Sequence, residues 1–156
     1  MGSSEYISHS PEQTIAKGRE IAAALEPPVL VLLSGELGSG KTTLAKGIIS
    51  GLGAAEESEV TSPTFTLVHE FHNHCKVYHV DLYRIETLQG FESIGLEDAL
   101  EENNAIIIVE WPERFPEPTN WPRLEVRIEH AGGDARRIRM SMAGQSLRGG
   151  RQVSGL

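Results

Sequence analysis

Apolar residues along this chain fall into three patterns. Residues 29–33 (Val-Leu-Val-Leu-Leu) and 105–109 (Ala-Ile-Ile-Ile-Val) are unbroken runs of five. Such short runs of mostly branched side chains predict strands buried on both faces, and hence a parallel sheet covered by helices. Leu124, Val126 and Ile128 instead alternate with Glu125, Arg127 and Glu129, and Ile138, Met140 and Met142 repeat the alternation after the turn-forming residues 131–134 (Ala-Gly-Gly-Asp). This predicts an antiparallel hairpin with one face in the core. Residues 10–25 place Ile15, Gly18, Ile21, Ala22 and Leu25 on one helical stripe, with Ser10 as N-cap, Pro11 at the first helical position and Gln13 completing a capping box; Pro27 and Pro28 then stop the helix.

Between these elements the signals are weaker. Residues 42–52 predict a second helix that closes at Gly51 and Gly53. Residues 54–62 are small and acidic without a period, as in an exposed loop. Residues 64–71 and 76–82 read as two strands joined across 72–75. Residues 87–103 carry Leu88, Phe91, Ile94 and Leu100 at helical spacing, weakened by Gly90 and Gly95. Four prolines in 111–122 predict loop. Residues 1–9 read as a flexible N-terminus, and residues 143–156, rich in Gly, Ser, Arg and Gln, as a disordered tail that cannot bury a core. Residues 10–142 remain as one domain. The predicted class is α/β of P-loop NTPase-like type: a mainly parallel sheet flanked by helices, with antiparallel hairpin strands.

Composition narrows this further. A chain of 156 residues, 39% hydrophobic and 23% charged, suits one soluble globular domain. A formal charge of -8 argues against a surface devoted to nucleic acid. The charge is uneven: residues 1–115 carry 7 Lys/Arg against 18 Asp/Glu, a net of -11, and residues 116–156 carry 7 Arg against 4 acids, a net of +3. Cys75 is the only cysteine, so no intrachain disulfide can form. With no signal peptide and no apolar run near the roughly 20 residues that span a membrane, the expectation is a cytoplasmic protein with no membrane partner.

The chemistry enters at the end of the first apolar run. Residues 35–42, Gly-Glu-Leu-Gly-Ser-Gly-Lys-Thr, fit G-x-x-x-x-G-K-[ST] in full, between a predicted buried strand and a predicted helix, which is the context that motif needs. Glycines let the backbone curl so that several N–H groups face phosphate oxygens, and the helix start adds its positive dipole end. Leu37, Gly38, Ser39 and Gly40 would form the cradle. Lys41 would reach the β- and γ-phosphates, Thr42 Oγ1 would ligate Mg²⁺, and Thr43 would reach the α-phosphate. The motif implies a nucleoside triphosphate and Mg²⁺.

Phosphoryl transfer also needs a carboxylate near the metal. Glu110 closes the apolar run 105–109 as a Walker B acid does, with Glu in place of Asp, and is assigned to the metal shell. Asp81 ends residues 77–81 in a similar way and is assigned to metal-bound or attacking water; for both, the alternative is a solvated acid at a strand end. Trp111, next to Glu110 and before Pro112, is read as part of the site, with a core position as the alternative. Thr61 and Thr64 flank Ser62-Pro63, where a γ-phosphate sensor or an ordinary loop-to-strand junction fits. His69, His72, His74, Cys75 and His79 crowd one stretch, yet strand alternation does not make them converge, so they are read as solvated hairpin residues rather than a metal site. Arg136, Arg137 and Arg139 read as an exposed face, with nucleic-acid binding as the alternative.

Four blocks together carry a family resemblance: residues 35–43 (GELGSGKTT), 62–68 (SPTFTLV), 79–84 (HVDLYR) and 109–113 (VEWPE). In this order and spacing they resemble the bacterial TsaE (YjeE) ATPases over residues 10–142. The resemblance implies an accessory ATPase in the threonylcarbamoyl modification of the tRNA adenosine beside the anticodon. Such a protein works with TsaB and TsaD, and TsaD transfers the group from an adenylate made by TsaC. It further implies slow hydrolysis coupled to those partners, tRNA contact only through the complex, and a monomer when alone. Lys41 would contact phosphate, Thr42 and Glu110 would ligate Mg²⁺, Asp81 and Trp111 would support hydrolysis, and Pro11 and Gly132 would lie near adenine.

Three other readings compete. A GTPase lacks its N/T-K-x-D and D-x-x-G sequences here. A small-molecule kinase is the runner-up, with Arg84, Arg114 and Arg123 available for an acceptor or lid. A nucleotide-gated binding module with negligible turnover is the third.

Overall fold

The computed structural model describes residues 3–60, 68–72, 76–92, 95–114 and 120–143. Seven strands form one sheet: β1 (Ser3–Ser8), β2 (Val29–Ser34), β3 (Val68–His72), β4 (Lys76–Asp81), β5 (Ala105–Glu110), β6 (Arg123–His130) and β7 (Arg136–Ala143). Their order is β1-β7-β6-β2-β5-β4-β3. The four central strands β6, β2, β5 and β4 run parallel, whereas β6/β7, β7/β1 and β3/β4 pair antiparallel. The fold is therefore the mixed α/β sheet expected from the two apolar runs. Those runs are the adjacent strands β2 and β5, and Leu33 lies opposite Glu110 in their register.

Helix α1 (Pro11–Ala22) starts on the predicted cap: Gln13 N–H donates to Ser10 Oγ at 3.1 Å, and Gln13 Oε1 accepts from the backbone N–H of His9 at 2.8 Å. It ends three residues before Leu25, where tight turns bring Ala24 and Leu25 N–H back to the carbonyls of Ile21 and Ala22. Helix α2 (Lys41–Gly51) follows the glycine loop and packs along α1. Both cover one sheet face, where Ile21, Leu44, Ile48 and Ile49 meet Val31, Leu33, Ile106, Ile108 and Val126. On the opposite face Leu30, Val80, Leu82, Ile107 and Val109 pack with Leu96, Ala99 and Trp121.

Two expectations need correction. Residues 3–8 are not a loose terminus: they pair with β7 from Ser3↔Ser141 to Ser8↔Arg136. Buried Ser8 Oγ also bonds Thr14 Oγ1 at 2.7 Å and donates to Ser10 O at 2.8 Å, tying the strand to the start of α1. The single helix expected over 87–103 is two, α3 (Leu88–Glu92) and α4 (Glu97–Glu102), with Gly95 between them at φ +81°, a left-handed conformation that no helix accommodates. Of the strand expected over 64–71, residues 64–67 lie outside the described residues, as do 144–156 of the expected tail.

Candidate functional site

The glycine loop turns sharply because Gly35, Gly38 and Gly40 all adopt positive φ. At Gly35 a Cβ would stand 2.7 Å from Ser39 Oγ and closer still to Ile128 O, so no side chain fits there. Gly38, by contrast, faces open space. Gly40, left-handed, is the N-cap of α2 and offers no side chain to the first N–H groups of the helix. Those groups lack intrahelical partners and point outward, which makes the helix start an anion site. They open on a cleft of about 330 Å³ lined by the loop, Thr42, Thr43, Asp81, Glu110 and Trp111. A cleft of that size lies at the low end of the range for small-ligand sites.

Lys41 is buried and folded back: its Nζ donates to the carbonyls of Gly35 at 2.7 Å and Glu36 at 2.9 Å, and lies 4.3 Å from the centroid of the Trp111 ring. Burial pushes its ammonium below the ordinary lysine value of 10.5, against the upward pull of Glu110, Asp81 and Glu113 in that order. Thr42 Oγ1 donates to Glu110 across the gap between α2 and β5, at 3.1 Å to Oε2 and 3.3 Å to Oε1. A hydroxyl and a carboxylate side by side form a hard oxygen donor set, the kind Mg²⁺ takes together with phosphate and water. Asp81, opposite Glu110 in register, is buried and accepts the Tyr83 N–H at 2.8 Å through Oδ1.

Trp111 adopts φ +64°, a conformation that costs a non-glycine residue of order 1–3 kcal/mol. Pro112 disfavours the ordinary helical region at this position, and the Trp111 N–H donates to Leu33 O at 3.3 Å. The turn lays the indole beside Lys41 and 4.9 Å from the Tyr83 ring. Arg114 holds the Tyr83 and Ile85 carbonyls, which fixes that wall.

The sequence model of the family "Threonylcarbamoyl adenosine biosynthesis protein TsaE" matches residues 8–138. A Treponema pallidum protein named tRNA threonylcarbamoyladenosine biosynthesis protein TsaE is 38% identical over 108 residues, covering 69% of this chain and 78% of its own. A Bacillus subtilis protein of the same name is 36% identical over 136 residues, covering 86% and 83%. The chain belongs to the TsaE family. In the same fold class, a crystal structure of Bacillus subtilis YdiB superposes with a TM-score of 0.68 at 30% identity, covering 92% of this chain and 87% of that one.

The cleft brings together Leu37, Gly38, Gly40, Lys41, Thr42, Thr43, Asp81, Glu110 and Trp111. Ser39 lies beneath the loop, buried, and faces a neighbouring hollow beside Glu36 and Ile128. Pro11 and Gly132 do not line the cleft. Residues 61–65, the candidate sensor, lie outside the described residues, and so do His74 and Cys75.

Two residues contradict their sequence reading. His79 is no solvated hairpin residue: it is fully buried, and its Nε2 lies 2.6 Å from Glu110 Oε2. Arg136 is not merely on an exposed face. It lines the cleft, its Nε donates to Ser39 O at 2.8 Å, and its Nη1 donates to Gly133 O and Ala135 O, joining the β6–β7 turn to the glycine loop. Strand alternation from Val77 and Asp81 was the available signal for His79. For Arg136 there was none.

Proposed function

We propose that this TsaE-family protein serves tRNA threonylcarbamoyladenosine biosynthesis as an ATP-binding, slowly ATP-hydrolysing accessory protein that needs Mg²⁺ and acts with TsaB and TsaD homologues. The reading is carried by one arrangement: Thr42 at the start of α2 lies within hydrogen-bond reach of Glu110 at the end of β5, in a cleft that Lys41 also lines. The relatives' names supply the pathway; the cleft supplies the chemistry.

The open N–H groups at Gly40, Lys41 and Thr42 would take phosphate oxygens. Lys41 would leave the carbonyls of Gly35 and Glu36 for the terminal phosphates, regaining as an ion pair what burial costs its charge. Thr42 Oγ1 and the Glu110 carboxylate would hold Mg²⁺, which when bound neutralises charge on the β- and γ-phosphate oxygens. Asp81 would orient the attacking water, with one carboxylate oxygen anchored by the Tyr83 N–H. The indole of Trp111 would keep its face over the Lys41 ammonium. Family membership disfavours a small-molecule kinase, and Arg114 is engaged with backbone carbonyls rather than turned to an acceptor.

The deciding experiment is ATP hydrolysis with and without TsaB and TsaD. Thr42→Ala and Glu110→Ala are each expected to cut Mg²⁺-dependent hydrolysis about 100-fold or more, the loss typical of one preorganised charge-stabilising group. An unchanged rate in either variant contradicts the metal assignment. ADP release that depends on a small acceptor, abolished by Lys41→Ala, would replace the hydrolase by the kinase.

A further inference from the structure

We infer that His79 is a positioning residue, which fixes the Glu110 carboxylate and so sets the affinity of the site for its divalent cation; this rests on the metal role proposed for Glu110. The argument begins with side-chain length. An aspartate at the end of the strand would project its carboxylate with two torsions to fix. Glutamate adds a methylene and a third torsion, so its oxygens sweep a wider arc and a metal must pay more entropy to hold them. Something other than the metal has to fix that third torsion.

His79 sits where it can. On β4, Val77, His79 and Asp81 share the face toward α2, and β4 lies beside β5 in parallel register with His79↔Ile108 and Asp81↔Glu110. Its ring is fully buried opposite Ile108, two residues before Glu110, in a row that core packing would fill with an apolar residue. Nε2 lies 2.6 Å from Oε2, where it donates to a carboxylate that can only accept, and Thr42 Oγ1 reaches the same oxygen at 3.1 Å. Oε2 is thus clamped between a strand and a helix. Oε1, 3.3 Å from Thr42 Oγ1, is the oxygen least constrained by the protein. When Thr42 turns its hydroxyl to a cation, His79 is the anchor that stays.

Metal ligands held by an outer hydrogen bond typically lose 10- to 100-fold in metal affinity when that partner is removed. The test follows binding of a non-hydrolysable ATP analogue by tryptophan fluorescence, with Trp111 in the cleft, as Mg²⁺ is titrated and again in EDTA. His79→Leu is expected to raise the half-saturating Mg²⁺ concentration about tenfold or more while binding in EDTA stays within about twofold of wild type. His79→Gln, whose amide nitrogen reaches as far as Nε2, is expected to remain within about threefold of wild type, whereas the shorter His79→Asn behaves like the leucine variant. If the leucine variant does not fold, the Gln/Asn pair decides. Equal Mg²⁺ dependence in all folded His79 variants, with Glu110→Gln impaired, overturns the inference alone. Indifference of both wild type and Glu110→Gln to Mg²⁺ overturns the metal role of Glu110 and this inference together.

Discussion

Lys41 carries a conflict between folding and binding that can be measured. Its charge is buried among backbone carbonyls and an indole, and its pKa is lowered chiefly by desolvation. The unfolded chain therefore binds more protons than the native state between the lowered value and 10.5, and stability rises with pH across that window; below it the full penalty stands. Lys41→Met removes the charge and keeps the length. Thermal unfolding of the ligand-free protein should show wild type gaining on Lys41→Met as pH climbs through that window, and Lys41→Met should bind no ATP. A constant gap between the two melting temperatures from neutral pH to 10.5 contradicts the burial argument. Lys41, Thr42 and Glu110 were legible because their motifs encode local backbone: a strand, a glycine turn and a helix start need nothing distant. His79 and Arg136 were not, since their partners stand 31 and 97 residues away. Alternation puts His79 on the face of Val77 and Asp81, but which carboxylate a histidine meets there, or which carbonyl an arginine finds, is settled by tertiary packing.

At the scale of elements, the placement of α2 depends on glycine more than on its apolar stripe. A Cβ on Gly18 would lie 2.6 Å from Leu44 O, and one on Gly47 would overlap the Ile15 carbonyl, so the two helix backbones touch where both side chains are missing. Ala is the better helix former by about 1 kcal/mol, but forcing a methyl into a backbone contact costs typically 1–3 kcal/mol and more where neither helix can move. The clash wins: Gly47→Ala should destabilise by about 2 kcal/mol or more, read as a lower denaturant midpoint at unchanged slope. Because α2 carries Lys41 and Thr42 on its first turn, the same variant should weaken ATP binding even where it folds. A neutral or stabilising result would mean that the helices separate at little cost. Sequence spacing placed Gly18 on the buried stripe without disclosing this contact, because a missing side chain carries no periodic signal. Strand β1 escaped notice for a related reason: Ser-Ser-Glu-Tyr-Ile-Ser has little apolar alternation, and an edge strand with one open face needs little.

Across the whole molecule, four of the arginines after residue 115 are engaged within the sheet among the described residues. Arg137 and Arg139 pair with Glu5 of β1, Arg139 and Arg127 with Glu129, and Arg136 holds the glycine loop. Each ion pair is half exposed and worth little in stability, yet together they replace an open cationic stripe with alternating charge on the uncovered face of β6, β7 and β1. Phosphate backbones bind to clustered positive potential, and a chain of formal charge -8 in which Arg127, Arg137 and Arg139 already face carboxylates offers little of it on that face. The isolated protein should therefore hold tRNA no more tightly than ordinary non-specific binding, weaker than about 10⁻⁶ M at physiological salt, and its contribution to modification should run through partner proteins. Filter binding across a salt series tests this, with Glu5→Gln/Glu129→Gln as the comparison. Unpairing the arginines is expected to tighten binding and steepen the salt dependence. Tight binding by the wild-type chain, with a slope matching several released counterions, would show that the arginines leave their carboxylates for phosphate and would give this protein its own RNA surface.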